Sequence, residues 1–140
     1  MKKSANIEIK IIRRAKREDI IRLYKDAGWW EPGYSRNLSF LDNIVKHSFC
    51  FAAAFHKNEM IGMGRALSDG CSDAYIQDVV VLKRFRGHGI GAEIIKKIIS
   101  HLHSNSIDWI GLVAQPGTED FYKELGFRRL KGHVPMKLKA

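Results

Sequence analysis

Residues 75–114 limit the fold more than any other part of the chain. They open with YIQDVVVL, an apolar run ending at Leu82, and pass through RFRGHGIG, where Gly87, Gly89 and Gly91 occupy alternate positions. Beyond the glycines, Ile90, Ile94, Ile95, Ile98, Ile99 and Leu102 recur at spacings of three and four. Glu93, Lys96 and Lys97 fall on the opposite side, so this segment reads as an amphipathic helix. IDWIGLVA then returns to a strand pattern, again of the buried type. Strand, tight turn, helix and strand make one βαβ unit. Its crossover should be right-handed, which sets strands 75–82 and 107–114 parallel with the helix on one face of the sheet. The continuous apolar end of the first strand predicts burial on both faces.

The other segments fit around that unit. Residues 7–12 alternate apolar and polar, as a half-buried strand does. Ile20, Leu23 and Tyr24 mark a helix that stops near Gly28, and SRNLSFLDNIVKHS predicts a second, with Ser35 as N-cap and Leu38, Leu41 and Val45 on one face. FCFAAAF and EMIGMGRAL are strand-like runs joined by a hairpin connection, and SDGCSD is a loop. QPGTEDFYKELGF predicts a loop and a short helix stopped by Gly126, and FRRLKGHVPMKLK one or two closing strands. With no repeat and no linker, residues 1–140 form a single α/β domain.

The chain carries 24 Lys and Arg against 15 Asp and Glu, a formal charge of +9. That balance suits either simple solubility or an anionic partner, a phosphate-bearing small molecule or a nucleic acid. Cys50 and Cys71 form no CxxC motif, and the six histidines lack ligand spacing, which argues against a disulfide scaffold and a metal site. The first ten residues lack the apolar stretch of a secretory signal, and no run approaches the ~20 apolar residues of a membrane span. The expectation is a cytoplasmic protein without a membrane partner.

A helix start presents unpaired N–H groups and about half a positive charge, so it suits an anion. Glycines allow close backbone approach there, and Arg86 adds a fork of donors for phosphate oxygens. The spacing is G-x-G-x-G rather than G-x-G-x-x-G, and no G-x-x-x-x-G-K-[ST] occurs, which disfavours a nucleotide hydrolase. The competing reading is a tight turn whose small residues serve packing alone.

Arg86-Gly87-His88-Gly89-Ile90-Gly91 resembles the Q/R-x-x-G-x-G/A signature of the GNAT superfamily of acetyl-CoA-dependent N-acetyltransferases. FYKELGF at 121–127 looks like that superfamily's downstream motif, and the order of elements across nearly the whole chain is similar too. AGWW at 27–30 with DVVV at 78–81 is similar to a branch that includes plant serotonin acetyltransferase-like proteins. The resemblance implies a mostly antiparallel sheet of about six to seven strands, a splayed parallel pair at 75–82 and 107–114, and about four helices. It also implies acetyl-CoA as co-substrate. Val79, Val80 and Val81 would line the pantetheine, and Arg86, Gly87, His88, Gly89, Ile90, Gly91 and Ala92 would hold the pyrophosphate.

Acetyl transfer to an amine needs a neutral nucleophile and a protonated leaving thiolate. The resemblance implies that Tyr122 donates the proton, which suits a phenol with a pKa near 10. Asp78 is the first choice of base, as the carboxylate inside the strand beside the cofactor. Strict alternation groups Tyr75, Gln77, Val79 and Val81 on one face and Asp78 on the other, so Asp78 needs a bulge to turn it toward the acceptor. Without a bulge, Tyr75 and Gln77 line the acceptor site. Trp29, Trp30 and Tyr34 lie where the superfamily builds acceptor pockets and offer an aromatic wall for an apolar or cationic amine. Gln115 stands where asparagine is common in the family, which removes one cofactor hydrogen bond from the pattern.

The function implied is transfer of an acetyl group to a primary amine, on a small molecule or a protein, by direct attack in a ternary complex. A homodimer is expected by analogy. Two other classes stand beside it: a coenzyme A-binding regulatory protein without catalysis, and a basic nucleic-acid-binding module. Dispersed cations and the lack of a nucleic-acid motif weigh against the last.

Overall fold

A computed structural model describes residues 6–140. Its elements in chain order are β1 (Ile7–Ile11), α1 (Arg17–Ala27), α2 (Ser39–Lys46), β2 (Cys50–His56), β3 (Glu59–Ser68), β4 (Asp73–Val81), α3 (Ile90–Ser104), β5 (Trp109–Leu112) and α4 (Glu119–Glu124). Short 3-10 turns at Pro32–Arg36 and Lys83–Phe85 precede α2 and α3. The strands form one mixed sheet in the order β1-β2-β3-β4-β5. The first three pairings are antiparallel, and β4 with β5 is parallel, as the βαβ reading requires.

Local sequence explains the main boundaries. Gly28 at φ 81° caps α1 in the left-handed region, with its N–H bonded to Lys25 O. Lys57 and Asn58 both have positive φ, the two-residue hairpin turn that matches strand twist. On one face of the sheet, α1 and α2 bury Ile20, Leu23, Leu41 and Val45 and are clamped by Arg17 to Asp42 at 2.6 Å. On the other face lies α3, with Ile94, Ile95, Ile98 and Leu102 fully buried. That helix descends onto bare backbone. A Cβ on Gly62 would stand 3.0 Å from Ile94 Cδ1, and one on Gly64 would stand 3.0 Å from Ile94 Cγ2 and 3.2 Å from Ile98 Cδ1.

Several expectations are corrected. The sheet has five strands among the described residues, not six to seven, because residues 128–140 form neither helix nor strand. Ser35 does not cap α2: it lies in the 3-10 turn and bonds Pro32 O, and the Asn37 carboxamide oxygen accepts from Ser39 N–H at 3.0 Å instead. β5 is not a buried strand, since Trp109 is 51% exposed. Its ring folds back over its own strand, so that a Cβ on Gly111 would stand 2.7 Å from Trp109 Cζ3. Burial on both faces fails for the end of β4, where Val79 and Val81 are half-buried and Val80 alone is buried.

Candidate active site

The parallel pair β4–β5 is registered from Asp73↔Trp109 to Ile76↔Leu112 and stops there. β4 continues to Val81 while β5 has ended, so Gln77–Val81 face an open edge. Leu82 N–H donates to Ile61 O on β3. The Val81 carbonyl, in the same peptide unit, therefore points away from β3, into the gap. Alternation along the strand turns the backbone groups of Val79 the same way and those of Val80 toward β3.

The gap ends at the glycine turn. Gly87 and Gly89 sit at φ 83° and 80°, and a Cβ on either would meet nothing within 4 Å. Glycine is required here by conformation, and the space beside it is free. Gly89 is the N-cap of α3 and supplies no side chain, so the first N–H groups of the helix, at Ile90, Gly91 and Ala92, face outward without a cap. Arg86 is committed within the protein: Nε donates to Val81 O at 2.7 Å and Nη2 to Asp26 Oδ2 at 2.9 Å. It braces the mouth of the gap to α1, with part of its donor set left over. His88 is exposed, its Nδ1 3.0 Å from Arg86 O.

Helix α4 closes one side of this mouth. A Cβ on Gly91 would stand 3.4 Å from Phe121 Cζ and 3.8 Å from Val81 Cγ2, so three elements meet at that point. Tyr122 packs edge-to-face against Phe121 and Phe127 at 4.9 and 5.8 Å. Burial raises the Tyr122 pKa above the ordinary phenol value, because it penalises the charged phenolate. The hydroxyl therefore stays protonated at neutral pH.

On the α1 face, β4 is bulged. The register runs Met63↔Val80 and then Arg65↔Gln77, which sets Asp78 and Val79 opposite Gly64 alone. Asp78 adopts φ 57°, rare for a residue with a side chain. The bulge resets the alternation. Val79 and Val81 stand on the α3 face with Gly64 and Gly62, whereas Asp78 faces Tyr24 of α1. The grouping of Tyr75 and Gln77 with Val79 and Val81 is thereby corrected.

Asp78 Oδ2 accepts from Tyr24 Oη and from Arg65 Nε, each at 2.8 Å. Arg65 Nη1 reaches Ser48 Oγ at 3.3 Å, and Ser48 in turn donates to Ile44 O. Two hydrogen bonds to its carboxylate, one of them backed by Ser48, thus hold one αL residue in place. Burial comes first, then the Asp78 charge and hydrogen bond, in pushing the Tyr24 pKa far above the ordinary phenol value. Trp29 packs edge-to-face on Tyr24 at 5.4 Å. Trp30, Tyr34 and Phe40 form a second aromatic group, with centroids 5.1 to 6.5 Å apart. In β4, Tyr75 is 39% exposed and Gln77 is half-buried.

Three site residues escape the sequence reading: Tyr24, Arg65 and Phe40. The signal for Arg65 was present. A lone cation in an otherwise apolar strand needs a buried counter-ion, and Asp78 is the lone carboxylate in the interior of the next strand. Among the described residues, no group of three or more His, Cys, Asp or Glu side chains could hold a metal.

The parallel pair whose register ends at Ile76↔Leu112, the glycine turn and the uncapped helix start border one open gap, and the comparisons place the fold in a family. The profile of the Acetyltransferase (GNAT) family matches residues 11–127, so the chain belongs to the GNAT family. An uncharacterized N-acetyltransferase, ycf52, of Gracilaria tenuistipitata var. liui is 35% identical over 113 residues, covering 78% of this chain and 60% of that protein. The chain thus spans about three-fifths of the length of the algal relatives it matches. Serotonin N-acetyltransferase 2, chloroplastic, of Oryza sativa subsp. japonica is 33% identical over 67 residues, 48% of this chain and 34% of that protein. A GNAT-family acetyltransferase from Streptococcus pneumoniae TIGR4 superposes with a TM-score of 0.80 at 25% identity, covering 96% of this chain and 98% of that one. AAC(6')-Iy in complex with a CoA-containing bisubstrate analogue superposes at 0.73 with 16% identity, covering 96% and 99%. The last likeness is one of fold.

Proposed function

We propose that the protein transfers the acetyl group of acetyl-CoA to a primary amine by direct attack within a ternary complex. The observation that carries this reading is the edge of β4 at Gln77–Val81, left open by β5 and met by Arg86 at the Val81 carbonyl, running into an uncapped helix start with two left-handed glycines. An edge strand accepts an extended amide chain as it accepts a further strand. Pantetheine is such a chain, and the pyrophosphate beyond it suits the N–H groups from Gly87 to Ala92. Acetyl-CoA supplies the activated thioester.

The backbone groups of Val79 and the Val81 N–H would hold the pantetheine amides, the Val81 carbonyl being taken by Arg86 Nε, and Val80 locks that segment to β3. Tyr122, kept neutral by burial, donates a proton to the departing sulfur. Asp78, with Oδ2 engaged by Tyr24 and Arg65, presents its other oxygen to the acceptor ammonium and receives its proton directly or through water. Trp29, which packs on Tyr24, the Trp30–Tyr34 pair, and Tyr75 and Gln77 of β4 would then supply a wall for an apolar or cationic amine. Two relatives carry different acceptors in their names, serotonin in one and histone in the other, so the chemistry of the wall is the better guide to the amine. No described helix is long and apolar enough to cross a membrane. A reduced pair of cysteines fits a cytoplasm-like compartment.

Thermal denaturation with acetyl-CoA at ~100 times its dissociation constant should add about 2.7 kcal/mol and raise the midpoint by several degrees. No shift in folded protein would remove the reading. Tyr122→Phe should lower kcat by about 100-fold or more while leaving coenzyme affinity unchanged. Full turnover in that variant would return the phenol to a packing role. A coenzyme shift without turnover on any amine would favour the binding-only alternative.

A further inference from the structure

β1 ends the sheet on the side away from the gap, and among the described residues nothing pairs with its outer edge. Ile12 N–H donates to Phe51 O, which turns the backbone groups of Ile12, Lys10 and Glu8 toward β2. The N–H and C=O groups of Ile7, Ile9 and Ile11 therefore face outward. The side chains divide in the same way. Ile9 and Ile11 stand opposite Ala54 and Ala52, which pair with Gly62 and Gly64 beneath α3, so these isoleucines lie half-buried on the α3 face. Glu8 and Lys10 lie exposed on the α1 face.

On that face α1 packs over β3 and β4. Nearer the edge, a groove of about 490 Å³ is lined by Phe55 of β2, Glu8 and Lys10 of β1, Lys16 before α1 and Lys57 in the hairpin turn. Lys10 Nζ sits 5.3 Å over the Phe55 ring and 3.8 Å from the Glu8 carboxylate. Lys16 and Lys57, with Arg13 and Arg14 in the loop after β1, are exposed and form no ion pair among the described residues. Elsewhere on the α1 side the arginines are matched: Arg17 with Asp42, Arg22 with Asp19 and Glu59, and Arg84 with Glu59. The β1 edge thus holds a share of the surplus positive charge that no carboxylate of the fold answers.

We infer that β1 takes an added strand from an acidic partner protein, one whose segment alternates apolar and acidic residues. Both halves of that pattern follow from the edge. The outward groups of Ile7, Ile9 and Ile11 supply a ladder of donors and acceptors for an extended chain. Residues opposite each other in paired strands share a face, so those facing the isoleucines continue an apolar row on the α3 side. The residues between them fall on the α1 side beside Lys10, where Lys16 and Lys57 supply charge for carboxylates. An RNA strand would use the lysines but leave the backbone edge and the isoleucines idle. Phe55 is also half-buried under Lys10 and gives a base no open ring to stack on. A second copy of this chain fits no better, because its exposed tail carries Lys137 and Lys139 at alternate positions. The inference does not depend on the acetyl-transfer reading, since β2 and β3 separate β1 from β4.

The test is fluorescence anisotropy of the full chain with labelled peptides of equal length: valine alternating with glutamate, valine alternating with lysine, and glutamate alone. The valine–glutamate peptide should bind about tenfold or more tighter than either control. Amide hydrogen exchange should then slow at Ile9 and Ile11, and stay unchanged at Lys10 and Ile12, whose N–H groups already face β2. Lys10→Glu combined with Lys57→Glu should leave the chain folded, because both side chains are exposed, and weaken binding by about tenfold or more. Added salt should weaken it as well. Equal binding of the glutamate-only peptide would mean charge without strand pairing and would overturn the inference. So would binding with no slowing at Ile9 and Ile11, a double variant that binds like the parent, or no binding of any peptide. Preference for single-stranded RNA over the valine–glutamate peptide, or self-association that protects Ile9 and Ile11 in the chain alone, would also overturn it.

Discussion

Two regions, one inside β4 and one in the turn that follows it, hold backbone in the left-handed conformation, and they do so by opposite means. At Asp78, φ 57° is imposed on a residue with a side chain, and Tyr24, Arg65 and the bulge opposite Gly64 hold it there. At Gly87 and Gly89, φ near 80° costs no steric strain, and a Cβ at either would contact nothing. The Asp78 side of the gap is therefore closed by the protein's own hydrogen bonds, whereas the glycine side is left open. In the proposed reaction, a carboxylate that receives a proton from a small amine has to be rigid before the amine arrives. A cradle of N–H groups gains from being free until phosphate fills it.

The sharpest way to break this contrast is Asp78→Ala. It leaves the Arg65 guanidinium, 11% exposed, without its counter-ion and should cost about 3 kcal/mol in a urea titration, the magnitude typical of a broken buried pair. A loss below about 1 kcal/mol would mean that water replaces the carboxylate and that the pair holds nothing. Gly89→Ala should be milder for the fold, about 1–2 kcal/mol for the left-handed φ. Its larger effect should fall on ligand binding, with coenzyme affinity reduced about tenfold by a methyl group projecting into the cradle. Equal affinity in that variant would show that phosphate binds elsewhere.

The smallest effect is a pH dependence at Tyr24. Its folded pKa is raised above the unfolded value of 10.0, so its contribution to stability is complete below pH 10 and is lost as pH rises through the folded value. Stability should fall above pH 10, and Tyr24→Phe should remove that part of the slope. An unchanged slope would place the alkaline titration on other groups.

The legible parts of the sequence were those where one local rule decides the outcome. The α3 face follows from Ile and Leu spacing, the α1 stop from Gly28, and the cradle from alternate glycines. Other features depend on a partner distant in sequence. The bulge at Asp78 is set by Gly64 and by Arg65, 13 positions away, and by Tyr24, 54 positions away. Alternation within β4 alone grouped its faces wrongly for that reason. The apolar β5 read as buried because the pattern does not say which strand ends the sheet. Residues 134–138 have strand periodicity, yet a strand forms only where an edge is supplied. Ser35 lost its capping role to Asn37 because a 3-10 turn delays the helix.

Gly62 and Gly64 lie outside the site, but they act on it as a gauge. Because a Cβ on Gly62 or Gly64 would come within 3.0 Å of the Ile94 side chain, the height of α3 above the sheet is set by two missing methyl groups. Its first turn carries the cradle, so the same distance sets how far the cradle stands from the end of β4. Alanine at Gly64 would act like a shim under one end of a beam, lifting the glycine turn while every residue in that turn stayed the same. The fit to a ligand that spans from the strand edge to the helix start is thus written partly into β3, in residues that never touch it.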